Sequence, residues 1–377
     1  MRALYIPNEN HTLGYAGNRI YKPIRILTNS IKPQLFANRI AELGSNDMWS
    51  HISRINHTIA MASNQFFDKK GSVFNILPLT TRMISSPGAL YGKEHLDYTT
   101  DTVPMHLKWF DMGGDFFLSE SSQIYLELSL IERGLKSTYS IYNSFRKERA
   151  DATHLSEFHH IEFEGKISQK ENIETASGLI SFIAKQLLKN NMEDLEFFLF
   201  DEDLQYIRKL AQSKKIGKKI TFKQALDLLY GATKQRKYKM FTTKYFGSWE
   251  EVKITSILDD MAIISEYPLY EVAFYHAPLI RDGVEVGDNS DFIWPYYREI
   301  IGSGHRVRSL AELKEKVKKF NLPKNDYKYY LASRSFKHYS ETSGFGLGWE
   351  RLLQGLLKMP FIYSASAFPR VHNSLYP

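Results

Sequence analysis

The stretch Thr342–Leu357, TSGFGLGWERLLQGLL, sets glycine at every second position of an apolar run and then turns at once into a helical pattern that carries Glu350 and Arg351. Alternate residues of a strand face one side, so Gly344, Gly346 and Gly348 leave a bare strip of backbone on which a flat group can lie. A close strand crossing or a bulge would use the same glycines. Arg351, on the first turn of the helix, is placed to reach a phosphate of whatever rests on the strip. A dinucleotide-binding turn is disfavoured, because Trp349 stands where its fingerprint needs a third glycine.

A second constellation lies upstream in SFRKERADATHLSEFHHIEFEG, Ser144–Gly165. Two strands flank a polar loop, as in a long antiparallel hairpin. Arg146 and Glu148 leave the first strand on one face, His154 sits in the loop, and Phe158 begins the return strand. An arginine, a histidine and an aromatic ring brought together by one hairpin can clamp a triphosphate and a base. A surface hairpin with ordinary ion pairs is the plainer alternative. His159 and His160 are adjacent in a strand and point to opposite faces, so no histidine metal cluster is implied.

The chain has 377 residues, 43% of them apolar, enough to fill a sizeable core. No apolar leader opens it, and no window approaches the ~18 uninterrupted apolar residues of a membrane span, so a soluble, cytoplasmic protein is expected. The absence of cysteine excludes disulfides, thiolate metal sites and a cysteine nucleophile, leaving oxygen or imidazole for any metal. The net charge of +7 is uneven: Ile207–Lys244 holds ten lysines and two arginines against Asp227, a local +11 that leaves the rest at −4. A solvated lysine-rich face accounts for such a run, with an RNA contact as the other use.

Around these motifs the pattern is α+β. A one-faced helix carries Ile52, Ile55, Ile59, Ala62 and Phe66 and is closed by Gly71; a strand with Pro78 follows. Strands and one short helix fill 116–166, and a helix is expected from Glu171. Residues 264–308 return to strand, and SLAELKEKVKKFN is an amphipathic helix before the closing strand and helix. Antiparallel pairing fits this order better than a doubly wound sheet does.

FRKERADATHLSEF resembles the second signature motif of class II aminoacyl-tRNA synthetases, and GFGLGWERLL resembles the third. SSQIYLEL, SDFIWPYYREIIGSGHR and the terminal AFPR fall in the order and spacing of the aspartyl/asparaginyl subgroup. The helix ending at Gly71, with Pro78 beyond it, is similar to the first motif, which in the family builds a two-fold homodimer. The resemblance covers roughly residues 46–373. It implies an antiparallel sheet flanked by helices, with an N-terminal extension over 1–45, a catalytic domain over 46–377 and a helical insertion at about 168–245 between the second and third motifs.

The resemblance also implies roles. Arg146 would hold the α-phosphate of ATP, Phe158 would stack on adenine, His154 would approach the distal phosphates and Arg351 would clamp the γ-phosphate. Glu148, Gly346 and Gly348 would complete the ATP site. Glu299, assisted by Asp291, would bind Mg2+, a hard ion suited to carboxylate and phosphate oxygens. Gln123, Glu127, Glu162 and Gly344 would line the amino-acid site, and Arg306 would grip the side-chain oxygen. Asp291 and Glu162 suit surface ion pairs equally well, and Glu350 is assigned to structure. Arg146, Arg351 and Glu299 are thus the expected catalytic groups.

Aspartyl members of the subgroup carry a lysine three residues beyond the glutamine, where this chain has Leu126 followed by Glu127, and an acid there favours a neutral amide over a second carboxylate. Four features depart from a tRNA ligase, one of them the unusually long aromatic segment ALYGKEHLDYTTDTVPMHLKWFDMGGD between Gly88 and Phe116. The residues before the first motif are too few for a nucleic-acid-binding barrel of about 100 residues. The loop Glu148–His154 is short and lacks the usual arginine before its histidine. SSPGALYG has Ser86 and Pro87 where an acid and a glycine recognise the α-amino group. The expectation is a stand-alone AMP-forming ligase that activates asparagine or a close analogue for an acceptor other than tRNA, such as a small nucleophile. The alternatives are an asparagine synthetase using aspartate and ammonia, an asparagine–tRNA ligase, and a regulatory paralogue that binds amino acid, nucleotide or RNA.

Overall fold

Alternation builds the central sheet. In Glu157–Gly165 and Ser343–Gly348 the residues Ile161, Phe163, Phe345 and Leu347 are apolar and buried, while the positions between them carry His160, Glu162, Glu164 and the three glycines. Such strands cover one face with core and leave the other to polar chemistry. The computed structural model describes residues 5–15, 18–21, 38–85, 103–147, 151–213, 215–372 and 374–375. It places these strands in the middle of an eight-stranded sheet.

In chain order the sheet strands are β1 (Val73–Phe74), β2 (Ser137–Phe145), β3 (Glu157–Gly165), β4 (Lys218–Thr221), β5 (Ala262–Ser265), β6 (Asn289–Ile293), β7 (Glu299–His305) and β8 (Ser343–Gly348). Their spatial order is β4-β5-β6-β7-β8-β3-β2-β1. The inner strands pair antiparallel, and each edge strand, β4 and β1, lies parallel to its neighbour. Five helices bear on the site: α1 (Met48–Lys69), α2 (Gln123–Ser129), α3 (Gln169–Asn190), α4 (Leu310–Lys319) and α5 (Trp349–Leu356).

Helices α1 and α3 cover the apolar face. Phe67 of α1 stacks on Tyr139 at 4.4 Å and on Phe163 at 5.5 Å, and α3 adds Leu179, Ile180, Ile183 and Leu187 to the same core. Each such side chain contributes about 2 kcal/mol when removed from water. Phe67, rather than the expected Phe66, is the fully buried member of that pair. Helix α3 starts two residues before Glu171 because Ser168 and Glu171 form a reciprocal capping box. Its first turn reaches the glycine strand, Asn172 Nδ2 donating to the Gly344 carbonyl at 2.9 Å. The segment 168–245 is thus continuous with the main core, and its strand β4 extends the sheet.

Tyr5 and Leu13 also belong to this core; Gln354 Nε2 donates to the Tyr5 hydroxyl at 2.9 Å. Part of the aromatic segment 103–118 forms a small antiparallel sheet in which Phe116–Leu118 pairs with both Thr80–Thr81 and Met105–Leu107. Pro78 lies between strands, where its carbonyl accepts from the Tyr142 hydroxyl at 2.8 Å. Glu148, Ser86 and Pro87 lie outside the described residues. Among the described residues no helix is long and apolar enough to cross a membrane.

Candidate active site

The glycine strip is two strands wide. In the β7–β8 register Gly302 lies opposite Gly346 and Gly304 opposite Gly344, so glycines of both strands share the polar face. Space is used closely here. A β-carbon at Gly344 would lie 1.9 Å from Glu164 Oε2 and 2.4 Å from both Gln123 Nε2 and the Phe163 carbonyl. At Gly346 it would stand 3.2 Å from Glu162 Oε1.

Two arginines with free charge converge at one end of this floor. Arg146 follows β2 directly, its N–H donating to the Ser156 carbonyl at 2.9 Å, and its guanidinium lies 5.2 Å from the centre of the Phe158 ring. Its Nε is buried and, among the described residues, has no acceptor. Arg351, on the first turn of α5, bonds only backbone carbonyls, Thr153 O at 3.3 Å and Glu299 O at 3.1 Å. Neither arginine has a carboxylate partner among the described residues. Both act on His160, whose pKa is held well below the usual imidazole value first by burial and then by these two positive charges. A buried polar end with two cations that form no ion pair among the described residues, beside an aromatic face, suits an anion attached to a ring system. His154 sits beside it, its Nδ1 on Asp151 Oδ1 at 2.8 Å. Burial alone would raise the Asp151 pKa, but the His154 charge and the Thr153 N–H hold it below the carboxylate range.

Two carboxylates face one another across Gly302. A β-carbon there would lie 3.1 Å from Glu299 Oε1 and 3.8 Å from Asp291 Oδ1. Burial, followed by the Glu299 charge, pushes the Asp291 pKa well above the usual value, and a hydrogen bond from Tyr267 offsets part of this. A third acid, Glu251, is neutralised by Arg298 and accepts from Glu299 N at 3.2 Å. Two neighbouring carboxylates that form no ion pair among the described residues fit a hard divalent ion that keeps waters and phosphate as its other ligands.

The other end of the floor is a set of buried ion pairs. Arg306 donates to Glu164 through Nε to Oε1 at 3.0 Å and Nη2 to Oε2 at 2.7 Å. Burial works against the Arg306 charge, but Glu164 more than offsets it and raises the pKa. Gln123, at the start of α2, donates to the Phe163 carbonyl at 2.8 Å and to Glu164. Glu162 anchors α2, accepting from Ser121 Oγ and Ser122 N at 2.6 Å each and from the Ser122 hydroxyl. Glu127 belongs to a neighbouring pair, with Arg334 Nη2 at 2.6 Å from its Oε1. The acid that meets Arg306 is therefore Glu164 rather than Glu127. Glu350 bonds His159, as a structural residue should.

The structure thus groups Arg146, Phe158, His154 and Arg351 at one end, Glu299 and Asp291 over Gly302, and Gln123, Glu162, Gly344 and Arg306 at the other. Glu164, Arg334, Gly302 and Gly304 were missed in the sequence. Three of these had a signal there: Glu164 alternates with Glu162, and GSGH, which holds Gly302 and Gly304, repeats the glycine spacing of GFGLG.

Comparison with known proteins bears on the family of the chain. The family described as tRNA synthetases class II (D, K and N) matches residues 32–372. The asparagine–tRNA ligase of Cytophaga hutchinsonii is 28% identical over 352 residues, covering 90% of this chain and 74% of that protein. That of Pyrococcus abyssi is 29% identical over 333 residues, covering 87% and 70%. Among solved structures, asparaginyl-tRNA synthetase from Pyrococcus horikoshii complexed with asparaginyl-adenylate superimposes with a TM-score of 0.80 at 26% identity, covering 97% of this chain and 79% of that one. The chain belongs to the class II aminoacyl-tRNA synthetases of the D, K and N group, a family of ligases that form aminoacyl-adenylates.

Proposed function

We propose that this protein adenylates asparagine or a close analogue and passes the activated acyl group to an acceptor other than tRNA. The observation that carries the choice of amino acid is the Arg306–Glu164 pair, which offers donors and an acceptor side by side. A carboxamide satisfies both, whereas a carboxylate would meet Glu164 charge against charge. The resemblance of the chain to asparagine–tRNA ligases points the same way.

In the reaction, an oxygen of the amino-acid carboxylate attacks the α-phosphorus of ATP. A new C–O–P linkage forms, the bond from the α-phosphorus to the bridging oxygen breaks, and pyrophosphate leaves with the electron pair. No side chain has to move a proton in this step. Arg146 holds the α-phosphate, Phe158 stacks on the base, Arg351 holds the γ-phosphate and His154 stands by the distal phosphates. Catalysis then rests on positioning and on fixed charge where charge builds up. Glu299 and Asp291 would hold Mg2+, which supplies further neutralisation of the phosphates. Gln123 and the glycine floor orient the amino acid.

The short loop before His154 supports an unusual acceptor, and Ser86 and Pro87 support a close analogue of asparagine with altered recognition of its α-amino group. A homodimer through α1 and β1 is supported by apolar side chains exposed around the sheet edge, with Ile76 92%, Phe74 46% and Val73 43% exposed. Mass spectrometry of products formed from asparagine and Mg-ATP, with ammonium, small amines and bulk tRNA added in turn, tests the proposal. AMP, pyrophosphate and an asparaginyl conjugate of a small nucleophile are expected. Asparaginyl-tRNA as the sole conjugate would overturn the choice of acceptor.

A further inference from the structure

Directly opposite Gly344, the neighbouring strand gives up its side-chain space to His276. A β-carbon at Gly304 would lie 1.9 Å from His276 Nδ1 and 2.1 Å from its Cε1, so the imidazole rests on the backbone of β7. The ring is held there through its own backbone. Ala277 N donates to His305 O at 2.8 Å and Val307 N to Tyr275 O at 2.9 Å, which makes His276 the bridge partner of Arg306. Lys316 of α4, itself buried, donates to the His276 carbonyl. His276 Nδ1 is buried and, among the described residues, has no hydrogen-bond partner. Burial, then the Arg306 and Lys316 charges, keeps the imidazole well below its usual pKa and hence neutral near pH 7. The adenylation step derived above makes no use of this side chain.

The geometry points to His276 as a specificity-determining residue of the amino-acid pocket, a neutral wall on Gly304 beside Arg306 that limits the substrate to a short, uncharged polar side chain. The inference rests on the asparagine reading and deepens it. Gly344 and Gly304 form one rung of the sheet; Gln123 and Glu164 close over the first and His276 over the second. A side chain that reaches Arg306 and Glu164 passes this rung. The imidazole fills room that one more methylene would need, and its free nitrogen offers a polar contact without charge. A single methylene is discriminated by about 10- to 200-fold in a fitted pocket.

The test is calorimetric binding of asparagine and of glutamine, with a non-hydrolysable ATP analogue present, to the unmodified protein, His276→Ala, His276→Gln and Gly304→Ala. ATP–pyrophosphate exchange is run in parallel. Asparagine should bind the unmodified protein at least about tenfold more tightly than glutamine, and His276→Ala should narrow or reverse that ratio by about tenfold. Affinity for the ATP analogue should not change. His276→Gln should give an intermediate ratio and serves if His276→Ala does not fold. Gly304→Ala should weaken asparagine binding, and adding His276→Ala should restore it, because the clash needs both groups. An equal loss for both amino acids, or binding of neither by the unmodified protein, overturns the inference. The expected change of ratio with no exchange overturns only the adenylation reading.

Discussion

Arg306 and Glu164 face each other through two parallel contacts, Nε to Oε1 at 3.0 Å and Nη2 to Oε2 at 2.7 Å, with both side chains out of solvent. Truncating either leaves a buried charge unpaired, which costs about 3–5 kcal/mol. Glu164→Gln keeps the shape and removes the acid. It should cut kcat/KM for asparagine and shift the asparagine-to-aspartate ratio towards aspartate by about tenfold or more. Exchange kinetics with each amino acid check this.

Gly344 and Gly346 should respond unequally to a methyl group. At Gly344 the added carbon meets the Phe163 backbone at 2.4 Å, which cannot swing away, as well as Glu164 and Gln123. At Gly346 it meets only the end of Glu162, at 3.2 Å. Gly344→Ala should therefore abolish exchange and cost about 1–3 kcal/mol of stability, with Gly346→Ala much milder in both. Activity and urea melts on the two variants compare them directly.

This rung also shows what could be read in the sequence. Alternation in GFGLG and EFHHIEFEG gave both faces of the central strands, because a half-buried strand repeats every two residues. The resemblance to the second and third family motifs implied Arg146, Phe158 and Arg351 as parts of one ATP site. Long-range pairing was not legible: that Gly302 and Gly304 lie against Gly346 and Gly344 follows from sheet register, which no local pattern specifies. For the same reason Glu127 was taken for the acid of the side-chain pocket, although it spends its charge on Arg334, more than 200 residues away in sequence. A helix from Glu171 is legible in the sequence, but its start at Gln169 and its place under the glycine strands depend on capping and tertiary packing.

His159 and Glu350 should give stability a pH dependence. Glu350 accepts from the His159 imidazole at 2.6 Å and from its backbone N–H at 3.0 Å, and this bond raises the His159 pKa above 6.5, burial opposing it. A raised folded-state pKa adds stability that is full below the unfolded value and is lost as pH rises through the folded one. The melting temperature of the unmodified protein should exceed that of His159→Gln more at about pH 6 than at about pH 8.5.

Ile76 stands almost wholly exposed beyond the edge strand β1. If the apolar edge formed by Val73, Phe74 and Ile76 is a dimer contact, Ile76→Asp should shift the protein from dimer to monomer in light scattering at micromolar concentration while its fold is kept. An unmodified protein that is monomeric at the same concentration would contradict the homodimer.

The most direct test of the central claim is asparagine-dependent ATP–pyrophosphate exchange, with Arg351→Ala as control. Among the described residues Arg351 makes no hydrogen bond or ion pair with a carboxylate that its loss would orphan, so the variant should fold normally and lose on the order of 10²-fold or more in rate. Exchange with asparagine that falls by this amount in the variant is the predicted result. Exchange with aspartate and not asparagine, or ATP binding with no exchange for any amino acid, would contradict the account.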